Sequence, residues 1–142
     1  MFTNKTSLII PTKNRSEKII KLLNSFKTLN LDFDEILVID SSEKFHSEKI
    51  SKECKLKNIK YFKTKSSTSF QRNFGMNNIN KNKYVVFMDD DVILFDDTFE
   101  KMNKCIEKYG EDPNIAGFGF NQFEDVKQSF MDNFKSLKIF EY

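Results

Sequence analysis

Tyr84-Val85-Val86-Phe87-Met88 runs directly into Asp89-Asp90-Asp91. A short, continuous apolar run has the length of a strand buried on both faces, as in parallel sheets covered by helices. Three adjacent carboxylates at the end of such a strand repel one another, so something must offset them. The residues alone leave two offsets open. A divalent cation carrying a phosphorylated ligand would serve, because hard cations take carboxylate oxygens. A face left wholly in water would serve as well.

Working outward, Ser7-Leu8-Ile9-Ile10-Pro11 and Glu35-Ile36-Leu37-Val38-Ile39 repeat the pattern. Pro11 is expected to end the first run and Asp40-Ser41-Ser42 the second. Asn58-Ile59-Lys60-Tyr61-Phe62 reads as a third, weaker strand, and Lys83 to Met88 as the fourth. Between them lie helical segments. Ile19, Ile20, Leu22, Leu23, Phe26 and Leu29 form one stripe, with Ser16 as its expected cap. Two more helices are expected from about Ser47 to Lys55 and from about Ser69 to Asn78. A helix carrying Phe99, Met102, Ile106 and Tyr109 should stop at Gly110 and Pro113. Ile115 to Phe120 reads as a fifth strand. Phe123, Val126, Phe130, Phe134 and Leu137 recur at three- and four-residue spacing, which predicts an amphipathic helix over about 122–140.

Strands alternating with helices imply an α/β fold with a mostly parallel, Rossmann-like sheet. Ligands of such sheets bind outside the carboxyl ends of the strands. The candidate site is therefore Thr12-Lys13-Asn14-Arg15, Asp40-Ser41-Ser42, the loop from Lys63 to Ser69, and Asp89-Asp90-Asp91. Cations, hydroxyls and carboxylates would converge on one rim.

Composition excludes several alternatives. The 142 residues, 39% hydrophobic and 14% aromatic, suit a single domain with a real core. A net charge of +2 is too balanced to imply nucleic acid. Cys54 and Cys105 stand far apart and His46 is the lone histidine, which excludes the common zinc clusters and disfavours a Cys-His nucleophile. No run has the length of a membrane span, and Met1 to Thr6 lacks the apolar stretch of a signal peptide, so a cytoplasmic chain is expected.

Four motifs in order, Ser-Leu-Ile-Ile-Pro-Thr-Lys-Asn-Arg from Ser7, Val-Ile-Asp-Ser-Ser from Val38, Gln-Arg-Asn-Phe-Gly from Gln71 and Tyr-Val-Val-Phe-Met-Asp-Asp-Asp from Tyr84, resemble the family 2 glycosyltransferases of GT-A fold. The likeness covers roughly residues 6–121, the donor-binding half of a single domain over 1–142. It implies an inverting transfer of sugar from a nucleotide-diphosphate sugar, UDP-linked by default, to an acceptor hydroxyl. By that resemblance Pro11 and Thr12 flank the base and ribose, and Arg15 lies near the base or diphosphate. Asp40 accepts a hydrogen bond from the base imide, a donor suited to a pure acceptor. Arg72 and Asn73 reach the diphosphate or base, and Gly75 permits close helix packing. Asp91 ligates Mn²⁺ or Mg²⁺, with Asp89 as a second ligand, while Asp89 or Asp90 meets the ribose hydroxyls or metal-bound water. The metal would stabilise charge on the leaving nucleoside diphosphate.

The pattern is incomplete in one respect. The family's general base lies well beyond the aspartates, and only about fifty residues follow Asp91. Glu124-Asp125 is the one adjacent acidic pair beyond the fifth strand and supplies the candidates for that base. A truncated domain, or a donor-binding module without complete catalytic machinery, is the alternative. A nucleotidyltransferase is a further one, against which stands the lack of a Gly-rich loop after the first strand. The resemblance also implies a saccharide, lipid-linked or protein acceptor, a bacterial polysaccharide or glycoprotein setting, peripheral association with the inner membrane face, and a homo-oligomer as an open option.

Overall fold

The computed structural model describes residues 6–31, 33–57, 59–80, 84–120 and 138–141. The chain forms two compact units, Met1–Thr98 and Phe99–Tyr142. In the first, β1 (Thr6–Thr12), α1 (Ser16–Thr28), β2 (Glu35–Asp40), α2 (Lys44–Leu56), β3 (Lys60–Lys63), α3 (Thr68–Met76) and β4 (Tyr84–Phe87) alternate strand with helix. The strands form one parallel sheet in the order β3-β2-β1-β4.

That order follows from crossover handedness. The path β1 to β2 to β3 steps outward in one direction, whereas β3 to β4 returns past β2 and β1. Right-handed crossovers then put α1 and α2 on one face and α3 on the other. On the α3 face, Ile9, Leu37 and Ile39 are fully buried, packed against Phe62, Phe74, Ile79 and Val85. Leu8, Ile10 and Val38 alternate to the opposite face and are equally buried. Gly75 sets the closeness of α3: a Cβ there would lie 2.6 Å from Ile9 Cγ2.

Two expectations about β1 and α1 are corrected. Pro11 does not end its strand but pairs with Ile39 inside it. Ile9 O accepts from Met88 N on the β4 side and Thr12 O from Ser41 N on the β2 side. Alternation therefore puts the missing Pro11 N–H toward β4, beyond the last β1–β4 pair at Ile9 and Phe87, where it costs no ladder bond. Ser16 is not a cap: α1 starts at Ser16 itself, with Arg15 at the N-cap position, and Ser16 Oγ instead meets His46 Nδ1 of α2 at 2.9 Å. Before α3, Ser67 occupies the N-cap position, its Oγ accepting from Phe70 N at 3.3 Å.

At the amino-terminal end of the sheet, Glu35 is buried and takes hydrogen bonds from Ser7 Oγ at 2.5 Å, Lys60 Nζ at 2.6 Å and Asn80 N at 2.6 Å. Burial pushes its pKa up, but these donors more than reverse that and leave it lowered.

In the second unit, α4 (Thr98–Tyr109) buries Phe99, Met102 and Cys105 along one stripe. A pair of antiparallel strands follows, β5 (Ile115–Gly119) and β6 (Lys138–Glu141), with a bulge between Ile115 and Gly117. This revises the far end of the helix expected over about 122–140. Residues 121–137 lie outside the described residues, and 138–141 are extended. Ile139 and Phe140 are of the β-branched and aromatic types that favour a strand, and pairing satisfies an edge β5 would otherwise expose. Among the described residues no helix is long and apolar enough to cross a membrane.

Candidate functional site

The direction in which successive strands are added to the sheet reverses between β1 and β4, the topological switch point at which open parallel sheets bind ligands. Thr12 ends β1 and the aspartates follow β4, so this crevice brings them together. Thr12 Oγ1 donates to Asp90 Oδ2 at 2.6 Å, and both residues are buried. Arg15 NH1 reaches Asp90 Oδ1 at 3.1 Å and Asp91 Oδ2 at 2.9 Å. Lys18, one turn along α1, lies 3.4 Å from the same Asp91 oxygen. Arg72 NH2 on α3 reaches Asp89 Oδ1 at 3.0 Å.

The three carboxylates are therefore unlike. Asp90 points inward and is fixed by Thr12 and Arg15. Asp89 and Asp91 have side chains 47% and 37% exposed. The repulsion that the sequence poses is offset within the protein by Arg15, Lys18 and Arg72. The hydrogen bond to Asp90, with the attraction of Asp90 and Asp91, raises the Arg15 pKa further. Arg72 holds one atom in reserve: its buried Nε has no hydrogen-bond partner among the described residues.

Asp40 does not face the rim. Its side chain is fully buried. Oδ1 accepts from Ser42 N at 2.8 Å, and Oδ2 accepts from Ser47 Oγ at 2.6 Å and Tyr61 OH at 2.7 Å. Lys63 Nζ lies 3.6 Å away and also donates to Ser42 O and Ser47 Oγ. Burial raises the Asp40 pKa, and the donors from Ser42, Ser47 and Tyr61 more than reverse it, so the group titrates below the usual range. Burial, with the same contact to Asp40, pushes the Tyr61 phenol up to about 12. In this arrangement the Asp40 carboxylate is closed to solvent, so a nucleotide base could meet it only after the groups that cover it move.

Two residues that hold or extend the rim, Gln71 and Lys18, were given no role by the sequence, and Asn14, expected only as part of the Thr12–Arg15 segment, has a definite one. Gln71 is buried, and its Nε2 donates to Thr12 O at 3.0 Å and Ile39 O at 2.6 Å, tying the ends of β1 and β2 together. Asn14 adopts φ 55, donates its N–H to Ser42 Oγ at 2.7 Å and accepts from Glu43 N at 2.7 Å, which latches the two following loops. Lys18 adds a cation to Asp91. Spacing could have found two of them: Lys18 lies three residues beyond Arg15, and Gln71 four before Gly75, on shared helix faces. Of the remaining expected residues, Pro11 is buried in β1, while Asn73 lies exposed beside Arg72 on α3. Glu124 and Asp125 lie outside the described residues.

The donor set suits a hard divalent cation. Asp89 and Asp91 offer carboxylate oxygens open to solvent within one turn, and a bound phosphate would complete the oxygen ligands. Among the described residues no group of three or more His, Cys, Asp or Glu side chains is arranged to hold a metal by itself. Any such ion would share its coordination with a ligand and would compete with Arg15, Lys18 and Arg72 for the carboxylates.

Known proteins share this architecture. The crystal structure of S. aureus TarS superposes with a TM-score of 0.58 at 25% identity, over 75% of this chain and 20% of that one. A structure of S. aureus TarS 1-349 gives 0.59 at 24% identity, over 85% of this chain and 40% of that one. An uncharacterized glycosyltransferase of Rickettsia conorii is 33% identical over 106 residues, which is 73% of this chain and 17% of the relative. The chain thus spans less than half the length of each of these relatives. The sequence profile described as glycosyl transferase family 2 matches residues 7–141, nearly the whole chain, and with the parallel sheet and its switch-point rim this shows that the chain belongs to that family.

Proposed function

We propose that the chain binds a nucleotide-diphosphate sugar, UDP-linked by default, for inverting, metal-dependent transfer of the sugar to an acceptor hydroxyl. The observation that carries this reading is the convergence at the switch point of two open carboxylates, Asp89 and Asp91, with three cations, Arg15, Lys18 and Arg72. A diphosphate is the ligand that uses both signs of charge. Arg15 and Arg72 offer planar donor forks to phosphate oxygens, and the unpartnered Nε of Arg72 has a use there. Thr12 and Asp90 fix the floor, so the ligand meets a preset surface. Asp91 and Asp89 would hold Mn²⁺ or Mg²⁺, which supplies charge neutralisation on the departing nucleoside diphosphate.

Transfer needs one more group. The acceptor O–H bond gives its proton to a carboxylate, its oxygen bonds to the anomeric carbon, and the sugar–phosphate bond breaks with its electrons on the diphosphate. Glu124 and Asp125 remain the proposed candidates for that base. A saccharide, lipid-linked or protein acceptor, a cytoplasmic setting at the inner membrane face, and assembly into oligomers belong to the same proposal.

A second reading has its own observation. The chain covers 17% to 40% of its relatives' lengths, so it also suits the donor-binding portion of a longer enzyme. Calorimetric titration with UDP, GDP and dTDP sugars, with Mn²⁺ and with EDTA, tests donor binding. Saturable, metal-dependent binding supports it, and metal-independent binding overturns the role given to Asp91. Assays of sugar transfer on this chain beside a longer one separate the two readings.

A further inference from the structure

Asp91 is half-open to water yet already carries two cations, Arg15 at 2.9 Å and Lys18 at 3.4 Å, both on the same oxygen. Their side chains are 50% and 58% exposed. Ion pairs this exposed hold weakly against competitors in water. Asp90, the other partner of Arg15, is different: it is buried, bonded to Thr12, and keeps its hold on the guanidinium whatever happens at Asp91. Arg15 is thus hinged at Asp90 with a weak outer contact, and Lys18 has only the outer contact among those described at this rim.

We propose that Arg15 and Lys18 are exchangeable counter-ions of Asp91, which they release to a divalent cation and then turn toward the diphosphate of the donor. The proposal rests on the nucleotide-sugar reading of this rim and adds Lys18 to its binding residues. Its consequence is cooperativity. A cation binding alone must displace both from Asp91, which leaves Arg15 with Asp90 alone and takes from Lys18 its contact at this rim. A diphosphate binding alone finds both cations drawn toward Asp91. When both bind, every charge is matched, so each ligand tightens the other, and by linkage the two factors are equal. Lys18 and Arg15 here act as positioning residues for the metal and as direct contacts for phosphate.

The test is calorimetric, with Mn²⁺ alone, UDP alone, and each in the presence of the other. In the wild-type chain UDP should tighten Mn²⁺ by about tenfold, within the range usual for coupled sites. Lys18→Gln, which leaves the Arg15–Asp90 link intact, should bind Mn²⁺ alone several-fold tighter, by about two- to fivefold, with the coupling reduced. Arg15→Gln/Lys18→Gln should extend both changes. Lys21→Gln makes the same charge change one turn further along α1 and should alter neither. The exchange is overturned if Lys18→Gln binds Mn²⁺ no better than wild type, if Lys21→Gln matches it, or if wild type binds both ligands without coupling. A wild-type chain that binds neither ligand, singly or together, overturns the nucleotide-sugar reading itself, and the exchange falls with it.

Discussion

Asp40→Ala discriminates two roles for one carboxylate. The family resemblance gives Asp40 to the base of the nucleotide, whereas the structure buries it beneath the rim with three hydrogen-bond donors and Lys63 nearby. Truncation would leave Ser42 N–H and Tyr61 OH facing a void. Ser47 has a fallback, because its hydroxyl also lies 3.1 Å from Ser42 O, and Lys63 is half-exposed and can turn to water. Breaking a buried charged network by removing one partner costs about 3–5 kcal/mol, and these two escapes place Asp40→Ala near the lower end, about 3 kcal/mol. With a urea slope of about 2 kcal/mol/M the unfolding midpoint should fall by about 1.5 M. Tyr61→Phe, which deletes a single donor to the carboxylate, should cost about 1–2 kcal/mol and stays measurable if the alanine variant does not fold. Urea titration followed by far-UV circular dichroism reads both. An Asp40→Ala midpoint within about 0.2 M of wild type, together with collapsed nucleotide affinity, would refute the buried-organiser role and return Asp40 to the ligand.

The other expectations are shorter. Gly75→Ala places a methyl 2.6 Å from Ile9 Cγ2 and should destabilise by about 1–3 kcal/mol in the same titration; an unchanged midpoint would mean that α3 does not need its close approach. Gln71→Ala removes a side-chain donor to Ile39 O and another to Thr12 O, and should cost about 1–3 kcal/mol; a cost below about 0.5 kcal/mol would remove the tie between β1 and β2 from the account. Asp91→Ala should abolish the metal dependence of UDP binding, read by titration with and without EDTA, while leaving the unfolding free energy within about 0.5 kcal/mol of wild type, because its ion pairs are exposed. The pH profile has a definite sign. Glu35 and Asp40 both have lowered folded pKa values, so their contribution is present above the unfolded carboxylate range near 4 and is lost as pH falls through the folded values. Urea midpoints should hold between about pH 7 and 5 and drop below about pH 4, and a midpoint that rises on acidification would contradict the assignment.

The legible part of this fold is the part written in continuous apolar runs. Leu8 to Ile10 and Leu37 to Ile39 each mark a strand because burial on both faces demands apolar residues at every position, not every second one, whereas the equally apolar Val85 to Phe87 forms the edge strand β4, where Phe87 is exposed. The switch-point rim then follows from strand order, which puts Thr12 at the end of β1 beside Asp90, just past the end of β4, despite the distance between them in sequence. What the sequence withheld are facts of direction. Nothing in three consecutive aspartates says that the middle one turns inward, and nothing in Val-Ile-Asp-Ser-Ser says that its carboxylate is buried. Pro11 misleads for the same reason, since its missing N–H matters only on the side where a neighbour is paired. The tail is a different case: Ile139 and Phe140 fit a helical stripe and a strand equally well, and backbone pairing with β5 decides between them.

The direction of Asp40 also bears on how the rim is built. A binding surface made of loops is precise only if something rigid holds those loops. Here the loop after β1 and the loop after β2 are joined at Asn14, whose left-handed backbone at φ 55 turns its N–H onto Ser42 Oγ and its side-chain oxygen onto Glu43 N. Ser42 in turn is held by Asp40 from below. Gln71 fastens the ends of both strands from the α3 side, one residue before Arg72. On the proposed donor-binding reading, Asp40 would act on the ligand through Ser42 and Asn14 rather than by contact, and a substitution there would blur the positions of Thr12 and Arg15. On this reasoning Asp40→Asn, which keeps an acceptor for Ser42 N–H, should retain more ligand affinity than Tyr61→Phe/Ser47→Ala, which keeps the carboxylate but strips the donors that aim it. The opposite ranking, in parallel calorimetric titrations, would mean that the charge of Asp40 is what the ligand feels.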